Sequence, residues 1–316
     1  MKNELKYVET VYQKGSFSKA AEVLHLTQPA LSLAIARVES EIGMALFDRK
    51  SHPLGLTEAG QIYIKTIRQI ATLEDELKCQ LHDLSDVKIG TVRIGATSYI
   101  TSCVLPPVLK KFKAQYPAVE LQITEAGAYE LKELLHARKI DLTFSSHPDE
   151  RYAFDRRFAF CDHLLLSVPA HEAVNSSAKK FALRGREVVS GIHLKSNCPI
   201  VDLKLFRTTP FILLEKKYNL RRRSDEFFAA SGFSPVICLE VAQIITAAAL
   251  SRAGLGAVFL PDRAVETDDD ACFYKIASSR AIRRMDIVTN SKGYLSKATQ
   301  CFIDIFKNCY RSNVES

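Results

Sequence analysis

The chain has 316 residues, a formal net charge of +7 and 47% hydrophobic residues. The apolar fraction excludes an intrinsically disordered chain, and the length provides for one to three domains with a sizeable core. No basic-then-apolar leader opens the sequence and no apolar run is long enough to cross a bilayer, so we expect a cytoplasmic protein with no membrane partner. The net positive charge suits a polyanionic partner but does not identify one.

Residues 16–43 predict two short helices separated by a tight turn. Ser16 or Ser18 is positioned to cap the first helix, because a side-chain oxygen accepts a hydrogen bond from a free backbone N–H at a helix start. Thr27 is placed to cap the second helix in the same way, and Gly43 to end it. The buried face of the second helix is marked by apolar residues at helical spacing: Leu31, Ile35, Val38 and Ile42.

The second helix carries polar side chains at its N-terminal end. In a helix-turn-helix, the second helix fits the DNA major groove and the residues at that end reach the base edges. Gln28 and Ser32 are therefore candidates for hydrogen bonds to bases, and Arg37, further along, is expected to contact a phosphate. An ordinary helical hairpin in a bundle has the same spacing, so spacing alone leaves both interpretations open.

A turn-rich segment, residues 49–55, follows this pair of helices. Arg49, Lys50 and His52 lie within it and are candidates for contacts with backbone phosphates. The segment is similar to the wing of a winged helix. The alternative is a solvated loop that carries surface charge.

Apolar residues recur at spacings of three and four behind Thr57, which is a possible N-cap. The stripe consists of Tyr63, Ile67, Ile70, Leu73, Leu77, Leu81 and Leu84. A stripe of this length with polar residues around it is typical of a dimerising helix. The alternative is a core helix of a single globular domain. A dimer fits the DNA interpretation, because two-fold proteins read two half-sites.

From residue 89 onward, strands and helices alternate. Strands are expected at 92–96, 119–123, 140–144, 164–168, 211–214, 236–239 and 257–261, and helices at 104–116, 131–137 and 244–250. Alternation at this pitch indicates βαβ units around a mostly parallel sheet. Gly254 and Gly256 precede a strand, so they indicate a helix C-cap and a turn and not a dinucleotide fingerprint.

The eight cysteines contain no C-x-x-C pair, and no histidine accompanies them at zinc-binding spacing. We expect small buried hydrophobic side chains in a reduced cytosol. A redox-sensing pair is the alternative, although Cys198 has no near neighbour in the sequence.

The ligand of an open α/β fold lies beyond the carboxyl ends of strands, against helix N-termini. The first such place lies between a strand and its helix, and its candidate binding residues are Thr97, Ser98, Tyr99, Thr101 and Ser102. Hydroxyls and free backbone N–H groups suit an anion, which the helix dipole also favours. The alternative is that these hydroxyls only cap the helix.

Further polar residues are candidates for the same cleft. Ser145 and Ser146 end another strand, Asn219 lies where a further helix begins, and Gln243 follows a strand. The arginines at 221–223 are more typical of a solvated charge run, although one of them is a candidate for clamping a carboxylate.

Beside these patterns, the chain resembles the LysR-type transcriptional regulators. In the N-terminal part the matching pieces are Ala20-Ala21, Leu24, Thr27-Gln28-Pro29-Ala30-Leu31-Ser32, Ile35, Val38-Glu39, Glu41-Ile42-Gly43, Leu46-Phe47-Asp48-Arg49 and Leu56-Thr57-Glu58-Ala59-Gly60. Beyond it they are Arg93-Ile94-Gly95, Leu105-Pro106, Phe112, Tyr116-Pro117, Asp141-Leu142, Gly254-x-Gly256 and Leu260-Pro261. The resemblance covers nearly the whole chain, and residues 172–209 match weakly.

The resemblance implies a multidomain architecture of the α+β and α/β classes. It consists of an N-terminal winged helix-turn-helix, a long linker helix that pairs two subunits, and a two-lobed α/β effector domain like a type 2 periplasmic binding protein. The implied boundaries are 1–60 for the DNA-binding domain, 61–88 for the linker, 89–162 and 268–316 for the first lobe and 163–267 for the second lobe. The chain would cross between the lobes near Asp162 and Thr267.

The resemblance also implies a sequence-specific DNA-binding transcriptional regulator, controlled by a small, anionic metabolite bound between the lobes. Its partners would be double-stranded promoter DNA, the metabolite and further copies of the chain, as a dimer or homotetramer through the linker helix. No cofactor, metal or catalytic residue is expected. The DNA-binding residues would be Ser18, Thr27, Gln28, Pro29, Ser32, Leu33, Arg37, Arg49, Lys50 and His52.

The sequence departs from the family at Leu33, because position 33 is often basic there. A leucine facing the groove would contact a thymine methyl group. A rival interpretation is an enzyme built on the α/β part, but the sequence holds no nucleophile elbow, P-loop or metal-ligand cluster. A redox sensor is the third interpretation.

Overall fold

The computed structural model describes residues 2–51, 54–84, 90–147, 151–291 and 293–310. The chain forms two compact units, Met1–Leu81 and His82–Ser316. Among the described helices, none is both long and apolar enough to cross a membrane.

The first unit begins with a three-helix arrangement followed by a small wing. Its helices are α1 (Lys2–Lys14), α2 (Phe17–Leu24) and α3 (Gln28–Ile42), and its wing strands are β1 (Phe47–Asp48) and β2 (Gly55–Leu56), which pair antiparallel. The predicted caps are confirmed: Ser16 Oγ accepts the Lys19 N–H at 3.5 Å and Thr27 Oγ1 accepts the Ala30 N–H at 3.4 Å. The sequence-predicted helix-turn-helix is therefore present, together with its wing.

The apolar faces of these helices meet in one core. Its buried members are Val8, Val11, Ala20, Ala21, Leu31, Ile35, Val38, Leu46, Phe47, Ile64 and Ile67. Ile42 was expected on the buried face of α3 but is 39% exposed. The reason is its position, since Gly43 takes a φ of 75° directly after it and turns the chain away from the core.

A long helix, α4 (Glu58–Leu84), follows the wing. Thr57 Oγ1 accepts the Gly60 N–H at 3.0 Å, as expected of its N-cap. Residues 85–88, the end of the predicted linker, lie outside the described residues.

The second unit contains a sheet whose first half has the strand order β4-β3-β5-β12-β6. These strands are β3 (Gly90–Ala96), β4 (Val119–Glu125), β5 (Leu142–Ser145), β6 (Phe154–Pro169) and β12 (Ile282–Asn290). The helices of this part are α5 (Leu105–Gln115), α6 (Ala128–His136) and α11 (Lys297–Tyr310). Strands β3, β4 and β5 are parallel, as the alternation of strands and helices predicts, and we call this part lobe I.

The remaining strands and helices form lobe II around the C-terminal half of β6. Its strands are β7 (Ile200–Val201), β8 (Pro210–Leu214), β9 (Val236–Val241), β10 (Val258–Pro261) and β11 (Ala271–Ile276), and its helices are α7 (Val174–Ser177), α8 (Gly185–Val189), α9 (Asn219–Ser231) and α10 (Ile244–Arg252). Strands β10 and β11 pair with β6, and β8 pairs with β9. The Ile212 N–H donates a 2.8 Å hydrogen bond to the Ala257 carbonyl, which joins β8 to the chain just before β10.

Strand β6 passes from lobe I to lobe II between His163, which pairs with Ile282, and Leu164, which pairs with Pro261. The sequence predicted that the chain returns from lobe II to lobe I near Thr267, and this prediction is wrong. Strand β11 lies after Thr267 but still pairs with the lobe II part of β6 and with β7, so the chain returns to lobe I only at residues 277–281.

The expectation that the cysteines are small buried side chains is met only in part. The seven that the structure describes are free thiols, and Cys198 and Cys272 are buried. Cys238 is exposed, and its thiol donates a hydrogen bond to the Phe211 carbonyl at 3.2 Å.

Candidate DNA interface and effector cleft

Helix α3 presents one exposed face that contains most of the predicted DNA-contacting residues. Gln28, Pro29 and Arg37 are exposed, Leu33 is 57% exposed, and Ser32 is half-buried between them. Positions 28 and 32, and positions 29, 33 and 37, follow one another in steps of four residues, so they lie on one side of the helix. The opposite side packs into the core, so this face is the one available to a groove.

The polar side chains of this face are unused within the part of the chain that the structure describes. Gln28, Ser32 and Arg37 make no intramolecular hydrogen bond or ion pair there. Thr27 is different, because its hydroxyl is engaged as the helix cap. Ser18 lies on the exposed surface of α2.

The wing residues divide into two kinds. Arg49 forms an ion pair with Glu39 at 3.0 Å and lies over the Phe17 ring at 5.3 Å, so its guanidinium ties the wing to α3 and α2. Lys50 is exposed, and its side chain has no such partner among the described residues. His52 was also predicted to contact phosphates but lies outside the described residues.

The apolar stripe of α4 changes character along the helix. Ile67 is buried in the core of the first unit, with Ile64 beside it. Further along, Leu73 is 63% exposed, and Leu77 and Leu81 are each 55% exposed. Three exposed leucines four residues apart form an apolar ridge that the described residues leave uncovered.

In the second unit, the predicted loop after β3 begins a helix in which Ile100–Val104 form a π-helical turn ahead of α5. The Ser98 hydroxyl donates a 2.6 Å hydrogen bond to Oε1 of Gln243, the residue before α10. The structure thus brings together two predicted residues from opposite lobes. The Thr101 hydroxyl instead bonds to the Thr97 carbonyl at 3.1 Å, and Ser102 is exposed.

Tyr99 lies beneath this loop and is only 5% exposed. Its hydroxyl donates a 2.9 Å hydrogen bond to Asp162, and Arg283 binds the same carboxylate through two nitrogens at 2.6 and 2.5 Å. Burial and the Asp162 charge raise the pKa of Tyr99 well above its usual value. Tyr99 is therefore a buried hydrogen-bond donor that anchors the cleft loop to the junction of the lobes.

The end of β5 forms a second polar group in the cleft. The Ser145 hydroxyl bonds to the His147 carbonyl at 2.9 Å, and Arg156 donates to that same carbonyl at 2.6 Å. Arg156 also forms an ion pair with Asp286 at 2.8 Å. Ser146 is half-buried beside them. Ser145 is thus held in an internal network.

Helix α9 corrects, for two of the three residues, the expectation that residues 221–223 are a solvated charge run, since only Arg222 is exposed. Arg221 is buried and bonds to the Leu214 carbonyl, Asp225 and Glu240, so it is structural. Arg223 is also buried, and it donates to the Arg280 carbonyl at 2.5 Å. Asn219 begins α9 and is exposed one turn before Arg223, on the same side of the helix.

Cations converge at this place. Burial and the positive charges of Arg283 and Arg280 lower the pKa of Arg223. Burial, then Arg223 and Arg222, likewise lower the pKa of His147. The cleft therefore holds several arginine charges near the N-terminus of α9, beside a histidine that these charges favour in its neutral form, and such an arrangement suits an anion.

The sequence offered the arginines at 221–223 as candidates to clamp a carboxylate, but it gave no sign of the other charged residues near the cleft. Arg156 and Arg283 lie on strands far apart in the chain, and only the pairing of β6 with β12 brings them near the cleft. Asp162 was noted only as a crossing point. No local spacing rule would have grouped these residues.

The fold and these two sites define a regulator class: a winged helix-turn-helix unit joined to a two-lobed α/β binding unit. Two family models match the chain, the bacterial regulatory helix-turn-helix protein of the lysR family over residues 3–61 and the LysR substrate binding domain over residues 85–309. The chain belongs to the LysR family. It is a DNA-binding transcriptional regulator with a substrate-binding effector domain.

Individual relatives agree with this assignment. The chain is 27% identical over 311 residues to the uncharacterized HTH-type transcriptional regulator YcgK of Bacillus subtilis, covering 98% of this chain and 95% of the relative. It is 30% identical over 254 residues to the HTH-type transcriptional regulator CfxR of Cupriavidus necator, covering 80% and 73%.

Solved structures share the fold. CbnR, crystallised in full length with its target DNA, matches with a TM-score of 0.64 at 20% identity, covering 97% of this chain and 98% of that one. A full-length OxyR variant from Pseudomonas aeruginosa matches with a TM-score of 0.64 at 18% identity, covering 99% and 97%.

Proposed function

We propose that this regulator binds double-stranded promoter DNA as a homo-oligomer and is controlled by a small anionic metabolite held between the lobes. It acts without catalysis, in the cytoplasm, where promoter DNA is found. The observation that carries the choice of an anion is the position of Arg222 and Arg223 in the first two turns of α9, where the charge of both also acts on His147.

The exposed face of α3 supports the DNA part of the proposal. Its unpartnered polar groups at Gln28 and Ser32 are positioned for base edges, with Leu33 beside them for a thymine methyl group. Arg37 and Lys50 are exposed cations suited to phosphates. CbnR, a protein of the same fold, was crystallised on its target DNA.

The cleft supports the metabolite part. A bound carboxylate or phosphate would neutralise cations that now repel one another, and it would accept hydrogen bonds from Ser98 and from helix N–H groups. The metabolite regulates only if its affinity differs between two arrangements of the lobes. The Ser98–Gln243 hydrogen bond joins the lobes, so an anion that replaces it would change their connection.

The effector is tested by thermal unfolding of the purified chain with a panel of small carboxylates and phosphates. We expect a subset to raise the unfolding temperature in wild type, and Arg223→Gln to lose at least tenfold in affinity for them. Arg207→Gln makes the same change of charge at an exposed lobe II site and serves as the matched control. If no anion stabilises wild type, or if both variants respond as wild type does, the anionic effector is wrong.

The oligomer is tested on the ridge of α4. Leu77→Asp is expected to dissociate the assembly. A two-fold interface contains Leu77 of both subunits, so losing the burial of both side chains costs about 3 kcal/mol or more. Ala71→Asp introduces the same charge at an exposed position away from the ridge, about a third of a turn around the helix, and is expected to leave the oligomer intact. Light scattering that shows an intact oligomer for Leu77→Asp would exclude this ridge as the interface.

A further inference from the structure

Two histidines and an aspartate meet at the junction of the lobes, outside the effector cleft. His163 Nδ1 lies 3.3 Å from Asp262 Oδ2, and His193 Nε2 lies 3.0 Å from the same oxygen. The three donor atoms all lie within 4.8 Å of one another. The residues are far apart in the sequence, so no spacing motif announces them.

The fold fixes each of the three positions. Antiparallel pairing of Leu164 with Pro261 places Asp262, which follows β10, directly opposite His163 on β6. His193 comes from a 3₁₀ turn, Ile192–Leu194, and is 4% exposed. The side chain of His163 is 28% exposed, so the cluster is reachable from solvent on that side.

Two of the three donor-atom distances fit coordination by one small cation. A tetrahedral ion with bonds of about 2.1 Å to nitrogen and oxygen ligands holds neighbouring ligand atoms about 3.4 Å apart. The two nitrogen-to-oxygen distances of 3.0 and 3.3 Å are close to this value. Imidazole and carboxylate are also the donors that divalent zinc, cobalt and nickel take up readily.

From this geometry we propose that His163, His193 and Asp262 bind a divalent transition-metal ion such as Zn²⁺. Three protein ligands leave a fourth position for water or a small anion. The nearby Arg263 carries an opposing charge, but its guanidinium lies over the Phe160 and Tyr310 rings at 5.0 and 4.6 Å.

The location gives the ion a structural consequence. His163 is on β6 at the step between the lobes and directly follows Asp162, which anchors Tyr99 and Arg283. An ion held there would join β6, the turn after β10 and the segment around residue 193. The metal would therefore stabilise the junction against which the cleft loop is anchored.

The proposal is tested on the full chain, without a polyhistidine tag and stripped of metal by a chelator. Co²⁺ is added while visible absorption is recorded. We expect a d–d band that saturates at a single equivalent per chain and that Zn²⁺ abolishes by competition. We expect no strong near-ultraviolet thiolate charge-transfer band, because the proposed ligands include no cysteine.

Variants locate the site. His163→Gln is expected to weaken Co²⁺ binding at least tenfold, and Asp262→Asn to do the same. His171→Gln is the matched control, since His171 is 65% exposed and contacts Glu172 instead. His163 is partly exposed, so its variant remains informative if the Asp262 variant fails to fold. No saturable band, a thiolate band, or unchanged binding in His163→Gln would each overturn the proposal, and none of these outcomes bears on DNA binding.

Discussion

The exposed face of α3 and the effector cleft use their polar side chains in opposite ways. On α3, Gln28, Ser32 and Arg37 have no internal partner among the described residues. In the cleft, Ser98, Tyr99 and Ser145 already bond to other parts of the same chain.

This difference separates two kinds of recognition. The α3 face is held rigid by the core behind it, so binding DNA breaks no intramolecular hydrogen bond on that face. A ligand in the cleft must replace hydrogen bonds that the protein makes without it. Its binding free energy is therefore only the difference between the new bonds and the bonds that are lost. Such an exchange suits a regulator, because one of these bonds, from Ser98 to Gln243, connects the lobes.

The largest expected effect comes from breaking the buried anchor of the cleft. Asp162→Asn leaves Arg283 buried without its full counter-charge and weakens the bond from Tyr99, so the free energy of unfolding should fall by about 3–5 kcal/mol. Denaturant unfolding measures it. Asp155→Asn, on the exposed surface of the same strand, should change it by less than about 0.5 kcal/mol. Equal stability of the two variants would remove the claim that the cleft depends on internal bonds.

The reverse pattern is expected on α3. Gln28→Ala should weaken binding to the specific promoter site by about 1–3 kcal/mol, because a base contact is lost, and leave unfolding unchanged. Titration of labelled promoter DNA and of a scrambled fragment separates specific from general affinity. Gln69→Ala on α4 is the control. A loss of stability in Gln28→Ala would show that the Gln28 side chain contributes to the folded protein, contrary to this prediction.

The wing contains two adjacent basic residues, of which the Arg49 side chain is bonded within the protein and the Lys50 side chain has no partner among the described residues. They allow the same comparison within one segment. Arg49→Ala should lower stability by about 1 kcal/mol, because it loses both Glu39 and the Phe17 ring. Lys50→Ala should leave stability unchanged but reduce the salt dependence of DNA binding by about one phosphate contact. The same salt slope in Lys50→Ala and wild type would rule out a phosphate contact there.

The smallest expected effect is at the exposed link between the lobes. Ser98→Ala removes the hydrogen bond to Gln243 and should cost about 0.5–1 kcal/mol of stability. Calorimetry measures the affinity of the Ser98→Ala variant for an anion that binds wild type. We expect this affinity to change by a larger fraction than the free energy of unfolding does. Thr101→Ala is the comparison, since its hydroxyl bonds only within its own helix turn. Identical behaviour of the two variants would mean that Ser98 has no special role.

Local signals explain what the sequence predicted well. Ser16, Thr27 and Thr57 announce helix starts through interactions that span three residues, and all three caps are present. Pairings between distant strands explain what it missed. The return to lobe I was misplaced because nothing near Thr267 shows that residues 271–276 pair with β6.

The candidate site divides along the same line. The pairing of Ser98 with Gln243 was within reach because both follow strands of an α/β fold. The burial of Arg223 and the Asp162–Arg283 pair were not, since they depend on which strands become neighbours. The phosphate contact of Arg49, expected from its charge and its place in the wing, stays a prediction, whereas nothing in the sequence indicated its ion pair with Glu39.

Strand β6 has a mechanical consequence for regulation. It runs for 16 residues, about 50 Å, with β12 beside its first part, where the register shifts between Met285 and Asp286, and both β10 and β11 beside its last. A change in the twist of this strand would turn one lobe relative to the other. A twist of about 5° acting over an arm of about 25 Å displaces the far end by about 2 Å. A ligand of modest size would thereby produce a motion comparable to the width of an atom at the outer edge of either lobe.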